Sequence, residues 1–182
     1  MTKCYAGINR MNLHAEIKLE RIFELSCQQL WQCWLEPKHL QHFFIPQPCV
    51  LQHCDIQACV GGRFNTHVLA EGQLLESQGI ILQMDELQTL VLTDSYTEGW
   101  VPNPEPFLTL MLEFSALGEQ RTLCQLTARH HAGRDLECFA QHDFELGWQK
   151  VLDQLADYSQ HLQPKSSATL RRAHNQFTVD TI

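Results

Sequence analysis

Hydrophobic and polar positions alternate where the patterned part of the chain begins. Leu13, Ala15, Ile17 and Leu19 are separated by His14, Glu16, Lys18 and Glu20, the period of a half-buried strand, so residues 12 to 24 are expected to be extended. Ser26 followed by Gln29 fits a capping box, and Leu30, Trp31 and Trp34 recur at helical spacing until Pro37 ends the run. That spacing predicts a short helix over roughly 27 to 35. Pro37, at a first-turn position, opens a second short helix through Leu40, Phe43 and Phe44, closed by Pro46 and Pro48. The pair is expected to form a bent helical corner.

From Cys49 to Ala132 the period of two returns. Cys54, Ile56 and Ala58 alternate with Asp55 and Gln57, Gly61-Gly62 supplies a tight turn, and Phe64, Thr66 and Val68 alternate again, which reads as a hairpin. Ile80, Leu82 and Met84 are assigned one face of the next strand, Asp85-Glu86 the turn, and Leu90, Leu92 and the residues running on to Tyr96 the return. Pro102, Pro104 and Pro106 cannot donate to a ladder, so Thr97 to Pro106 is expected to be an irregular connection. Leu108, Leu110, Leu112 and Phe114, then Cys124, Leu126, Ala128 and His130 beyond a turn at Gly118, complete a meander of about six strands.

After Gly133 the spacing becomes helical, with Leu136, Ala140, Phe144, Trp148, Val151, Leu152, Leu155, Ser159 and Leu162 on one face. Such a stripe must be buried, and the concave face of the preceding sheet is the apolar surface large enough to take it. The expected organisation is an N-terminal extension over 1–11, one domain over 12–162, and a flexible tail over 163–182, where Lys, Ser, Arg, Asn and Thr take over.

Composition narrows the partners. The 182 residues are 44% hydrophobic and 19% charged, ordinary for a folded chain, and 13 basic against 21 acidic residues give a net charge of -8 that disfavours nucleic acid. No stretch approaches the ~20 apolar residues of a membrane span, so no membrane partner is expected. No apolar run lies between Lys3 and Arg10 to suggest a secretory signal, which leaves a cytoplasmic location as the expectation. The eight cysteines, in a chain large enough to build its own core, read as reduced and mostly buried thiols.

Candidate chemistry is sparse. Cys49, Cys54 and Cys59 are five apart, so on an extended strand successive members face opposite sides and cannot converge on one ion, and the chain has no C-x-x-C pair. Neither a metal nor a cofactor is expected. There is no phosphate-binding glycine loop, no G-x-S-x-G elbow and no H-E-x-x-H helix, and no catalytic residue is assigned. Of the adjacent His130 and His131, His130 shares the inward face of Leu126 and Ala128, where it would orient a polar ligand group or act as a base with Asp94 or Glu113. The competing reading is a rim histidine bonded to backbone. His142 has a weaker claim of the same kind.

A strand, two short helices, an antiparallel meander and a long C-terminal helix follow the order of the α+β helix-grip fold, also called START-like. Arg21-Ile22-Phe23, Leu30-Trp31-x-x-Trp34-x-x-Pro37, Gly61-Gly62-x-Phe64, Glu98-Gly99-Trp100, Pro106-Phe107-x-Thr109 and Gly147-Trp148-x-x-x-Leu152-x-x-Leu155 together resemble homologues of the activator of the ninety-kilodalton heat-shock protein's ATPase. Cys54-Asp55-Ile56 and Thr93-Asp94 add a resemblance to a bacterial subgroup labelled polyketide cyclase-like. Phe43-Phe44, Val60 and Leu25-Ser26 depart from the family pattern while keeping bulk or backbone role.

The resemblance implies a curved antiparallel sheet of about six to seven strands around the long helix, with an apolar cavity between them. Trp34, Phe44, Phe64, Met84, Tyr96, Trp100, Met111, His130 and Phe144 are the candidate ligand-binding residues, with ordinary core packing as the competing reading for each aromatic side chain. The expected occupant is a small hydrophobic or amphipathic molecule, with Trp100 and the proline segment gating entry. The alternative is a cyclase-like or hydrolase-like enzyme using the same cavity. A chaperone partner is disfavoured, and the resemblance allows a homodimer for which no residue here argues.

Overall fold

A computed structural model describes residues 16–131 and 141–163 of the chain. Strand β1 (Glu16–Phe23) turns Ile17, Leu19, Arg21 and Phe23 inward, as the alternation predicts. Helix α1 (Cys27–Leu35) starts at a reciprocal cap: the Ser26 hydroxyl accepts from the Gln29 amide at 3.2 Å, and the Gln29 side-chain oxygen accepts from the Ser26 amide at 3.1 Å. Helix α2 (Pro37–Leu40) has proline in its first turn and ends sooner than expected. Phe43 and Phe44 lie in the turns that follow it, with Phe43 fully buried and its ring edge-on to Trp34 at 5.1 Å.

The sheet is built from β2 (Val50–Ile56), β3 (Phe64–Ala70), β4 (Gln73–Ser77), β5 (Ile80–Asp85), β6 (Thr89–Thr93), β9 (Leu108–Gly118), β10 (Arg121–His130) and β1, with a two-stranded ribbon of β7 (Tyr96–Thr97) and β8 (Val101–Pro102). Five strands run in the order β1-β10-β9-β6-β5 and three in the order β2-β3-β4. The groups join where β3 begins: Arg63 bridges Ile80, and the Phe64 amide donates to the Gly79 carbonyl at 2.8 Å. The chain through β4 and β5 thus follows β3 and then, past Gln78-Gly79, follows β6. A Cβ at Gly79 would stand 2.6 Å from the Thr93 carbonyl oxygen, so a side chain there obstructs this change of partner.

Three sequence expectations are corrected. A register shift between Ile81 and Gln83 puts Ile81 in the core and leaves Leu82 37% exposed, so Ile80, Leu82 and Met84 do not share a face. Strand β4 had no apolar alternation to announce it, because its five residues are exposed on both faces, and it pairs with β3 across the two-residue turn Glu71-Gly72. The proline segment is not wholly irregular, since Pro102 pairs with Tyr96 in an isolated two-stranded ribbon whose outer edges need no donors.

Rows of side chains cross the concave face in register. Leu19 opposes Leu126, Leu126 opposes Leu112, and Leu112 opposes Leu90, giving one continuous apolar floor. Helix α3 (Gln141–Ser159) lays Trp148, Val151, Leu152 and Leu155 on the core, while Leu136 and Ala140 of the expected stripe lie outside the described residues, as do the N-terminal extension and nearly all of the C-terminal tail. Gln154 fastens the helix to the segment after α2: its amide donates to the carbonyls of Phe43 and Ile45 at 2.9 Å each, and its oxygen accepts from the Gln47 amide at 2.9 Å. An Arg21–Asp153 ion pair ties α3 to β1. Among the described residues no helix is long and apolar enough to cross a membrane.

Leu155 is fully buried where α3 meets the core. Leu155→Ala is expected to lower unfolding free energy by about 2–5 kcal/mol, read by urea denaturation followed by circular dichroism. A loss below about 0.5 kcal/mol would mean the helix is not seated as described.

A candidate ligand cavity beneath a latched flap

Burial along α3 is uneven, and the unevenness locates the site. Val151, Leu152 and Leu155 reach the core, whereas Phe144 and Gly147, one to three turns earlier, border a space shared with the post-α2 segment Phe44-Ile45-Pro46, Gly147 lying where a Cβ would stand 4.0 Å from Pro46. This space, about 290 Å³, is closed by Phe107, Leu108 and Trp148. A second space of about 200 Å³ lies deeper against the sheet, between Phe64, Thr66 and Val68 of β3 and Leu92, Thr93 and Leu110 of β6 and β9. The two share Phe44, Ile45, Phe107 and Leu108 as walls. They are neighbouring compartments between sheet and helix, and both are lined chiefly by apolar side chains.

A flap, residues 95–106, projects beside the cavity, and its neck is tied by Asp94. Both carboxylate oxygens of Asp94 accept from the Phe107 amide, at 3.0 and 2.9 Å, and Oδ1 also accepts from the Leu108 amide at 2.9 Å. Asn103 closes the neck from within, donating its side-chain amide to the Asp94 carbonyl at 2.7 Å and its backbone amide to the Ser95 carbonyl at 2.9 Å. Asp94 therefore fixes the position of Phe107 and Leu108, the shared walls.

The tip of the flap is latched to the turn between β2 and β3. Arg63 donates from Nε to Asp55 and from Nη1 to Glu98, each at 2.7 Å. Trp100 lies over Gly61, where a Cβ would stand 3.2 Å from the indole and where φ is +77°, so glycine is required twice over. Asp55, Gly61, Glu98 and Trp100, scattered through the sequence motifs, meet in this one clasp. Arg63 links them, and sequence reading missed it because it sat at an unassigned position between Gly62 and Phe64.

The candidate ligand residues fall into three groups. Phe44 and Phe64 border the inner space, and Phe44 and Phe144 the outer one. Trp34 is fully buried behind Phe43 and Phe44, and Met84 packs on the core away from both spaces. Tyr96 and Trp100 are 37% and 49% exposed on the ribbon, and Met111 alternates with the inward Leu110 and Leu112, hence faces the opposite side of the sheet. Phe107, Ile45 and Leu108 line the cavity and were not singled out in the sequence; Phe107 follows a proline in a segment read as loop, where side-chain direction has no period to betray it.

His130 is 3% exposed and sits one layer behind the cavity wall. The Phe107 ring stands edge-on to it at 4.5 Å and the Phe144 ring at 5.7 Å, and Nδ1 has no hydrogen-bond partner among the described residues. Burial, reinforced by neighbouring His131 and opposed by Asp94, holds its pKa below the ordinary imidazole value. His131 faces the other way, with Nε2 at 2.9 Å from the Thr109 hydroxyl and 3.3 Å from that of Ser95. Glu113 is exposed on the sheet's outer side, so it does not join His130. Burial pushes the thiols of Cys33 and Cys124 up to about 12, which keeps both protonated and unreactive near neutrality.

A family model described as activator of Hsp90 ATPase homolog 1-like protein matches residues 24–160. No curated protein matches the chain. Among solved structures, a Nitrosomonas europaea protein superposes with a TM-score of 0.73 at 21% identity, covering 81% of this chain and 95% of its own. A Chromobacterium violaceum protein gives 0.64 at 20% identity, covering 78% and 95%, and an AHSA1-like protein from Aeromonas hydrophila gives 0.62 at 17%, covering 81% and 93%. At these identities the likeness is one of fold, a helix-grip α+β architecture.

Burial of His130 sets an expectation for stability. Its folded pKa lies below that of the unfolded chain, about 6.5, so the contribution is complete above that pH and is lost as pH falls through the folded value, where the unfolded state binds more protons. Thermal melts between about pH 7.5 and pH 5 should show the melting temperature falling, with a shallower fall in His130→Phe, which keeps the ring and removes the proton site. Equal slopes in the two proteins would contradict the burial assigned to His130.

Proposed function

Because the chain belongs to the activator of Hsp90 ATPase homolog 1-like family and has two adjoining apolar clefts between sheet and helix, we propose that it is a binding protein for a small hydrophobic or amphipathic molecule. The observation that carries this reading is the pair of clefts sharing Phe44, Ile45, Phe107 and Leu108, concave and lined chiefly by apolar side chains as small-molecule sites are. The ligand lies between β3, β6, β9 and the first turns of α3, its apolar body against Phe44, Phe64 and Phe144.

Entry passes the flap. Phe107 and Leu108 adjoin its neck and form the shared walls, so a movement of the flap would carry those walls with it. His130 becomes the polar anchor once a ligand displaces the Phe107 or Phe144 ring, because its Nδ1 then gains the partner that burial denies it. Among the described residues no acid–base pair lines the cavity, and the Asp94 carboxylate accepts from the Phe107 and Leu108 amides, which favours binding over turnover as the function.

Native mass spectrometry of purified protein, followed by denaturation and analysis of released small molecules, is expected to show a stoichiometric apolar compound or, for an emptied protein, uptake of an apolar fluorescent probe. Val68→Trp, which fills the inner compartment from β3, should reduce probe affinity at least tenfold with the circular dichroism spectrum unchanged. Undiminished binding by that variant would place the ligand elsewhere.

A further inference from the structure

The two compartments are polarised in charge as well as apolar. Among the described residues that line them there is no lysine, arginine or histidine, while each has one carboxylate: Asp94 in the inner space and Asp143 at the mouth of the outer one. The inner space is also bordered by Thr66, Ser77 and Thr93, the last with its hydroxyl already held by the Thr109 hydroxyl at 2.8 Å and the Leu108 carbonyl at 3.3 Å. His130, behind the shared wall residue Phe107, is 3% exposed, and burial holds its pKa below the ordinary imidazole value, which disfavours its charged form. The chain as a whole carries -8.

The backbone amides of Phe107 and Leu108 both donate to the Asp94 carboxylate. Oδ1 accepts from both amides, whereas Oδ2 shares one amide with Oδ1 and keeps acceptor capacity on its remaining lone pair. A ligand hydroxyl or amide N–H arriving in the inner space finds an acceptor there. A ligand carboxylate would be brought beside the Asp94 carboxylate with no cation among the described lining residues to pair with it.

We propose that the cavity selects uncharged apolar molecules bearing a hydrogen-bond donor, with the Asp94 carboxylate as the group that accepts from the donor and excludes anions. This rests on the binding function proposed above and adds to it the chemical class of ligand. Fatty acids and other apolar carboxylates are excluded, and apolar alcohols, phenols and primary amides are admitted. Asp94 is thereby both the tie of the flap's neck and the determinant of specificity.

The test uses three compounds on one bicyclic skeleton, 2-naphthol, 2-naphthamide and 2-naphthoate, titrated into the full chain at pH 7.5 and followed by protein NMR shifts and calorimetry. Naphthol and naphthamide are expected to bind, with naphthoate weaker by at least tenfold. In Asp94→Asn, which keeps an acceptor for the flap amides, the gap between naphthamide and naphthoate should shrink to less than threefold. Because that change also risks loosening the flap, the wild-type ratio of amide to carboxylate, near-isosteric ligands differing in charge, decides the matter without it. Naphthoate binding as tightly as naphthamide would overturn the charge selection while leaving the cavity reading intact. No binding by any of the three would remove the cavity reading and this inference together.

Discussion

A straight helix cannot follow a sheet that bends, and this mismatch organises the molecule. The sheet changes direction where the chain between β4 and β5 leaves β3 and takes up β6, and the helix follows only the five-stranded part. Where they fit, Leu152 and Leu155 are buried in the core. Where they part, Phe144, Gly147 and Val151 border a space shared with the segment after α2. Cavity and core are two ends of one interface, and the burial of the helix's later turns stabilises the opening beside its earlier ones.

Polar groups set the edges of that opening. Gln154 holds the post-α2 segment on the helix side, and Asp94 holds the flap neck on the sheet side, each by satisfying backbone groups that would otherwise be left unpaired in a partly apolar surrounding. The Arg63 clasp and the Trp100 cover act farther out, on exposed surface, where ion pairs contribute little to stability but fix geometry. This division separates a neck tied by backbone amides from a tip held by solvent-exposed ion pairs. It also gives one carboxylate, Asp94, a role in the wall's position and in the electrostatic character of the space behind it.

Much of the fold could be read along the chain. The Ser26–Gln29 cap, the α1 boundaries, the inward faces of β1, β9 and β10 and the buried stripe of α3 all follow from local chemistry or a clean period. The reading lapsed where local pattern carried no information. The bulge in β5 moved Ile81 inward by shifting the register by one residue, which leaves no mark on composition. Strand β4, exposed on both faces, has no alternation to detect. Met111 was placed with the cavity because of its size, although its own strand's alternation turns it outward.

The sequence by itself determined which elements form and, for the regular ones, which face each buries, because capping, proline placement and periodicity act over a few residues. It also determined the family resemblance through motifs whose spacing is set by the chain. Only the tertiary structure decided that Asp55, Arg63, Glu98 and Trp100 close one clasp, that Asp94 binds the amides of Phe107 and Leu108, and that Phe107 rather than Tyr96 or Trp100 walls the cavity. Those outcomes depend on how far the sheet bends before the helix crosses it, a quantity summed over many strand contacts and carried by no local stretch of sequence.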